Sequence, residues 1–144
     1  MFGGYKYRFG LTNDLFLFNT DQNLLEEVKE TKGTKPSKRG LHGSAVVNAS
    51  LFVFGGYDLN HNLMNDLYEL KIVDLEWIQI KYQCFDHLGN VSMEGISPRC
   101  FFSFFELENC LHLFGGCDEN NRILNDYHRY NPKTKIWSQA FFTN

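Results

Sequence analysis

The chain has 144 residues and a mass of 16.8 kDa, about one domain, and its 43% hydrophobic content excludes a chain too polar to bury a core. Lys and Arg number 14 against 17 Asp and Glu, a formal net charge of -3 that gives no electrostatic footprint for nucleic acid or an anionic membrane surface. Phe, Tyr and Trp make up 16% of the residues while Ala is rare, which favours strands over a helical bundle, so an all-β protein is expected.

Met1-Phe2-Gly3-Gly4-Tyr5 has neither the basic start nor the apolar run of a secretion signal, and no stretch reaches the roughly 18 consecutive apolar residues of a membrane-spanning helix. The expectation is a cytoplasmic chain in which Cys84, Cys100, Cys110 and Cys117, which lack CxxC spacing, stay as thiols. The sequons Asn48-Ala49-Ser50 and Asn90-Val91-Ser92 carry no weight in that setting.

Phe2-Gly3-Gly4 opens a pattern that returns at Phe54-Gly55-Gly56 and Phe114-Gly115-Gly116, after 52 and then 60 residues. Ten residues beyond the first glycine of each pair stands Asn-Asp, at Asn13-Asp14, Asn65-Asp66 and Asn125-Asp126. Twelve beyond each asparagine comes a large apolar residue, Leu25, Trp77 and Trp137. Arg39 and Arg99 precede the second and third glycine pairs by 16 residues, each shortly after a proline, Pro36 and Pro98. Four markers in one register identify an internal repeat.

Between the markers, short apolar runs bounded by turn residues predict four strands per repeat, in the middle copy at about 41–48, 51–55, 65–70 and 76–82. Leu15-Phe16-Leu17-Phe18 and Leu51-Phe52-Val53-Phe54 are apolar at successive positions, so both faces of those strands are expected to be buried between neighbouring sheets. Residues 48–50, 71–74 and 131–134 are short enough for antiparallel hairpins, which makes each sheet a four-stranded meander. The glycine pairs end second strands where the backbone must leave the sheet or pass close to another segment.

Pro36-x-x-Arg39-x-x-His42, Phe54-Gly55-Gly56, Asn65-Asp66-Leu67-Tyr68 and Trp77 together resemble a Kelch repeat, in particular the longer type with a Gly33-Thr34-x-Pro36 opening found in multi-repeat adaptor and scaffold proteins. The resemblance implies one β-propeller blade per repeat. Residues 1–28 form the later part of a repeat without its first strand, 33–82 a complete repeat and 95–142 another, about 2.7 blades of one partial propeller domain. Leu25 stands where Trp is expected, Phe102 at the place of His42, and Tyr127-His128 at the place of Leu67-Tyr68, which suggests altered packing within the same fold. A ring needs at least about four blades, so apolar faces are expected at both ends of the arc. The expectation is a piece of a longer propeller or a truncated product. The alternative is a homo-oligomer whose heterologous contacts close the ring.

Antiparallel strands send alternate connections to opposite ends, so the second-to-third-strand loops and the links between blades share one face, the expected place for function. On it, Tyr5, Lys6, Arg8, Tyr57, Asp58, His61, Asp118 and Arg122 are the candidate partner-binding residues, because these types combine aromatic area with hydrogen bonding or carboxylate recognition. The link 81–97 exceeds its counterpart by eight residues and is expected to be functional or disordered. Its Cys84-Phe85-Asp86-His87 invites a nucleophile reading, set aside because such pairs are placed by fold rather than by short spacing. Cys110, His112 and Cys117 invite a metal reading, set aside because His112 falls on the slot of Phe52 and Cys117 on that of Tyr57. Gly3, Gly4, Gly55, Gly56, Gly115, Gly116, the three Asn-Asp pairs, Trp77, Trp137, Arg39 and Arg99 are expected to be structural, with the arginines stitching blades.

The resemblance also admits enzymes, copper-radical oxidases and sugar mutarotases among them. Here there is no carboxylate pair, multi-His set or phosphate loop at the needed spacing. The expected function is therefore an interaction module for a protein or peptide, part of a scaffold or substrate-recruiting adaptor, with no catalytic residue, metal or cofactor and no nucleic-acid or membrane partner. A purely architectural segment of a larger propeller is the alternative, and part of a Kelch-type enzyme the remotest reading.

Overall fold

The computed structural model describes residues 1–92 and 95–140; residues 93–94 of the long link and the last two of the 95–142 repeat lie outside them. Every element among the described residues is a strand, as composition and pattern predicted, and none of them forms a helix long and apolar enough to cross a membrane.

The first sheet holds β1 (Phe2–Lys6), β2 (Gly10–Asn19) and β3 (Leu24–Val28) in that order, all antiparallel. The second holds β5 (Gly43–Val47), β6 (Ser50–Phe54), β7 (Leu67–Lys71) and β8 (Glu76–Ile80) as an antiparallel meander, with the short β4 (Lys32–Gly33) running parallel to the outer edge of β8. The third repeats this with β10 (Ser103–Leu107), β11 (Cys110–Cys117), β12 (Ile123–Asn131) and β13 (Ile136–Ala140), edged by β9 (Gln83–Phe85) parallel to β13.

The strands fall within a few residues of their expected places, and the four-stranded meanders of the second and third sheets each gain a short fifth strand at the outer edge. The chain leaving one blade first pairs with the outer strand of the next and only then crosses to that blade's innermost strand. Unpaired donors and acceptors on the outer edge are thereby covered. Gly33 permits this approach: it has φ +72°, and a Cβ there would lie 2.1 Å from the Trp77 carbonyl oxygen. The long link is likewise ordered where described. It contributes β9, a small antiparallel bridge from Phe85 to Val91, and the fully buried Ile96.

The core lies between sheets, in two layers. Phe2 and Leu15 of the first blade pack with Leu51, Val53, Tyr68, Leu70 and Trp77 of the second. Val47, Phe52, Phe54, Leu67 and Ile80 of the second pack with Leu111, Leu113, Tyr130 and Trp137 of the third. The alternate side chains of β6 thus serve opposite layers, and Leu51 to Phe54 are all buried as expected. The same expectation fails for β2: Leu15 is buried, but Leu17 is 38% and Phe18 54% exposed, and Phe18 lies on the face opposite Leu15, where no described sheet covers the first blade.

Each layer has the same centrepiece. Phe2 meets Trp77 edge-on at 5.0 Å between ring centroids, and Phe54 meets Trp137 at 5.6 Å. His42 approaches Phe2 at 5.7 Å and 71°, and Phe102 approaches Phe54 at 5.7 Å and 76°. The departure at Phe102 therefore preserves the ring packing of His42.

Candidate protein-binding face

The residues holding the loops come first, because they decide which side chains are available. Arg39 and Arg99 are 0% and 1% exposed. The Arg39 guanidinium donates to both Asp66 carboxylate oxygens at 2.7 and 3.0 Å and to the Gly55 carbonyl at 3.1 Å. Arg99 repeats this with Asp126 at 2.6 and 2.7 Å and Gly115 at 3.0 Å. These side-chain bonds stay within the arginine's own blade. Its backbone reaches the preceding one: the Gly4 N–H donates to the Arg39 carbonyl at 2.9 Å, and the Arg39 N–H donates to Thr12 at 3.1 Å. Gly56, Arg99 and Met64 repeat that exchange at 2.9 and 3.2 Å.

The Asn-Asp pair divides its labour accordingly. Asp66 and Asp126 bind the arginine of their own blade, while Asn13 and Asn65 donate forward to the Pro36 and Ile96 carbonyls of the following link at 3.0 and 2.9 Å. In the third blade His128 takes the place of Tyr68, whose ring lies 5.5 Å beneath the Arg39 guanidinium, and bonds Asp126 at 2.7 Å instead. Burial by itself would raise the Asp126 pKa, but the bonds from His128 and Arg99 and the guanidinium charge outweigh it and hold the carboxyl well below the usual range.

The candidate loops project from this frame. The first is a tight hairpin in which the Phe9 N–H donates to the Lys6 carbonyl at 2.9 Å and Arg8 takes φ +68°. It leaves Tyr5, Tyr7 and Phe9 72, 78 and 77% exposed. The Lys6 ammonium lies 5.5 Å over Phe9 and the Arg8 guanidinium 5.4 Å over Tyr7. Lys6 also stands 4.0 Å from Asp14.

In the second loop Tyr57 is anchored by backbone bridges to Gly40 and Leu63, and its ring stacks on His61 at 5.8 Å. Gly56 must be glycine here, since at φ +88° a Cβ would sit 2.6 Å from the Gly40 carbonyl. Asp58 faces inward on its own loop, accepting from the Asn60 and Asn62 N–H groups at 2.8 and 2.9 Å. In the third loop Asp118 accepts from the Asn120 and Arg122 N–H groups at 2.9 and 3.0 Å and from the Arg122 guanidinium at 2.8 Å.

Sequence reasoning grouped Asp58, Asp118 and Arg122 with the contact residues, whereas the geometry assigns their charged groups to loop closure. The same five-residue loop occurs a third time, where Asp86 accepts from Leu88 and Asn90 at 2.9 and 2.8 Å in the long link. In all three the fourth residue, His61, Gly89 or Asn121, adopts positive φ. An aspartate followed four places later by Asn or Arg was the available signal.

Two further residues were missed. Leu41 and Phe101 each stand two places after the buried arginine, at φ +53° and +58°, with exposed side chains. A bulky residue held in this region is strained, and strain of this kind clusters at binding sites. The signal was their shared repeat position, masked because neither belongs to the marker set.

A groove of about 520 Å³ lies beside Phe101, Gly115, Cys117 and Ile123. Its counterpart on the second blade, at Gly55, is filled by the Arg99 carbonyl and the Phe102 ring. His112 and Cys84 complete the picture. His112 lies buried, accepting a hydrogen bond from the Tyr127 hydroxyl through Nδ1 and donating to the Leu107 carbonyl at 3.1 Å through Nε2, so both ring nitrogens are engaged. Cys84 is buried, and burial pushes its thiol pKa up.

Stacked antiparallel sheets, each clasped to the next through a buried arginine and ending in one loop per blade, define a β-propeller repeat protein. The chain belongs to the Kelch-repeat family: the KLHDC2/KLHL20/DRC7 Kelch-repeats domain matches residues 1–144. Domains of this family are typically protein-interaction modules. Among similar proteins, Kelch domain-containing protein 1 of Mus musculus is 28% identical over 162 residues, covering 96% of this chain and 37% of that protein. Kelch domain-containing protein 10 of Homo sapiens is 28% identical over 142 residues, covering 96% of this chain and 30% of that protein. Leucine-zipper-like transcriptional regulator 1 homolog of Drosophila melanogaster is 31% identical over 129 residues, covering 85% and 12%. The chain thus spans between 12 and 37% of the length of these relatives.

Proposed function

We propose that this chain binds a protein or peptide partner through its loop face, in the cytoplasm, as the recognition part of a scaffold or substrate-recruiting adaptor. The observation that carries the reading is the first-blade loop, where three exposed aromatic rings stand beside two cations. Rings of this type offer large contact area at low entropic cost, and Lys6 and Arg8 select a partner with carboxylates next to apolar side chains. Tyr57, His61, Leu41 and Phe101 extend the surface along the arc, while Asp58, Asp118 and Arg122 hold its shape. The role is binding rather than catalysis, a reading supported by the burial of Cys84 and by the engaged nitrogens of His112.

A peptide library displayed on phage and selected against the chain tests this. Selected peptides are expected to combine acidic and apolar residues, and to bind Tyr5→Ala or Arg8→Ala at least about tenfold more weakly, a change of about 1.4 kcal/mol. Peptides that bind both variants as well as the parent chain would remove the first-blade loop from the site.

A second reading, an architectural segment of a larger propeller, is favoured by one observation. Phe18 and Leu25 at one end and Phe105 and Leu107 at the other lie exposed, as blade faces awaiting neighbours do.

A further inference from the structure

We propose that Cys100 and Cys117 form a reversible dithiol pair, which closes to an intrachain disulfide by exchange with a low-molecular-weight disulfide such as oxidised glutathione. The two residues face each other across an isolated antiparallel bridge, with the Cys100 N–H donating to the Cys117 carbonyl at 3.1 Å and the Cys117 N–H donating to the Cys100 carbonyl at 2.8 Å. Residues paired in this two-way fashion have Cα atoms about 5.5 Å apart and side chains on the same side, and disulfides span Cα separations of about 4.4–6.8 Å. The Cys117 Sγ lies 3.7 Å from the Asp118 carbonyl oxygen, so closure turns that side chain away from this contact and toward Cys100.

The second blade has the same bridge, between Gly40 and Tyr57, with donor distances of 3.1 and 3.0 Å. Of these two bridges only that of the third blade carries cysteine at both positions, so the thiols stand at two coupled places on a repeated backbone frame. The other two thiols, Cys84 and Cys110, are buried.

The two sulfurs differ in a way that orders the chemistry. Cys117 is partly exposed and lines the open groove, whereas Cys100 is buried, and burial together with the neighbouring Cys117 pushes its thiol pKa up. The Cys117 thiolate attacks one sulfur of oxidised glutathione, forming a mixed disulfide and expelling one glutathione thiolate. The Cys100 thiolate then attacks the Cys117 sulfur, the bond to glutathione breaks, and the second glutathione leaves. The two protein thiols lose two electrons and two protons. The glutathione disulfide gains them as two thiols. The product ties the blade-to-blade link to the start of the third loop, beside Asp118 and Arg122.

The test incubates the folded chain in reduced and oxidised glutathione, quenches with acid, alkylates and weighs it intact. The expected product has lost two hydrogens and regains them with dithiothreitol. Digestion after glutamate, which cuts at Glu106, Glu108 and Glu119, followed by fragmentation, is expected to join Cys100 to Cys117 with Cys84 and Cys110 alkylated. Cys100→Ser is expected to accumulate glutathione on Cys117. Glutathione retained on Cys117 in the parent chain, a bond to Cys84 or Cys110, or closure only in urea would overturn the proposal, and the parent-chain mapping decides it whether or not the variant folds.

Discussion

His42 is half-buried against Phe2 and beneath the second glycine pair, and its imidazole carries a lowered pKa of about 4. Desolvation is the main cause, the Arg39 charge adds to it, and a backbone hydrogen bond opposes them. The unfolded chain binds that proton near the ordinary histidine pKa of about 6.5, so between about pH 6.5 and 4 the unfolded state holds more protons than the folded one. Stability from this group is complete above that window and is lost as pH falls through it. The third repeat already shows the remedy, because Phe102 makes the same ring contact without titrating. His42→Phe is therefore expected to flatten the loss of stability between pH 7.5 and 4.5, measured as urea midpoints. A variant that loses as much as the parent would assign the acid sensitivity elsewhere. The markers at this scale were legible as markers, yet their division of labour was not. Spacing revealed that Arg39 and Asp66 recur together, while the pairing of one with the other across 27 residues is visible only once the sheet folds them face to face.

At the scale of the element, the strands were legible because each apolar run has a length and boundary only a strand satisfies. The fifth strand was not, since two or three residues of β4 and β9 carry no periodicity to detect. Burial on both faces of β6 followed from its unbroken apolar run, and the closely similar run in β2 misled because a run encodes only the wish for a neighbour. Trp137 is the element on which the second layer turns, touching Phe54, Tyr82 and Tyr130 while fully buried. Trp137→Ala is expected to cost about 3–5 kcal/mol, read from denaturant unfolding. Loss below about 1 kcal/mol would mean the layer closes over the space.

Across the whole molecule, the two interior layers are complete and the two outer faces are not. Phe18 and Leu25 lie open on the first blade, and Phe105 and Leu107 on the third. Surfaces of this kind drive association. Light scattering coupled to size exclusion is expected to give the isolated chain a mass above 16.8 kDa at micromolar concentration. A sharp dimer or trimer supports ring closure by copies, and a broad distribution supports blades that belong beside others. A strictly monomeric, folded chain would contradict both. The third-blade face is also chemically unlike its predecessors, with buried His112 bonded to half-buried Tyr127 where Phe52 and Leu67 stand one blade earlier.

The arginine clasp determines where this chain tolerates being cut. Arg39 and Arg99 hold the preceding blade with their peptide groups and their own blade with their guanidinium groups, while Asn13 and Asn65 reach forward over the same junction. A recombination joint placed between one Trp marker and the next Arg would separate a clasp from half of what it fastens. A joint within the tight turn at 48–49 parts Arg39 from Gly55 and Asp66, and one at 72–75 leaves that guanidinium clasp whole but parts Gly56, Met64 and Asn65 from Arg99 and Ile96. Because the spans 4–39, 39–66, 56–99 and 99–126 follow one another without a gap, no joint between residues 4 and 126 spares every bond, and the blades exchange as an interlocked run rather than singly.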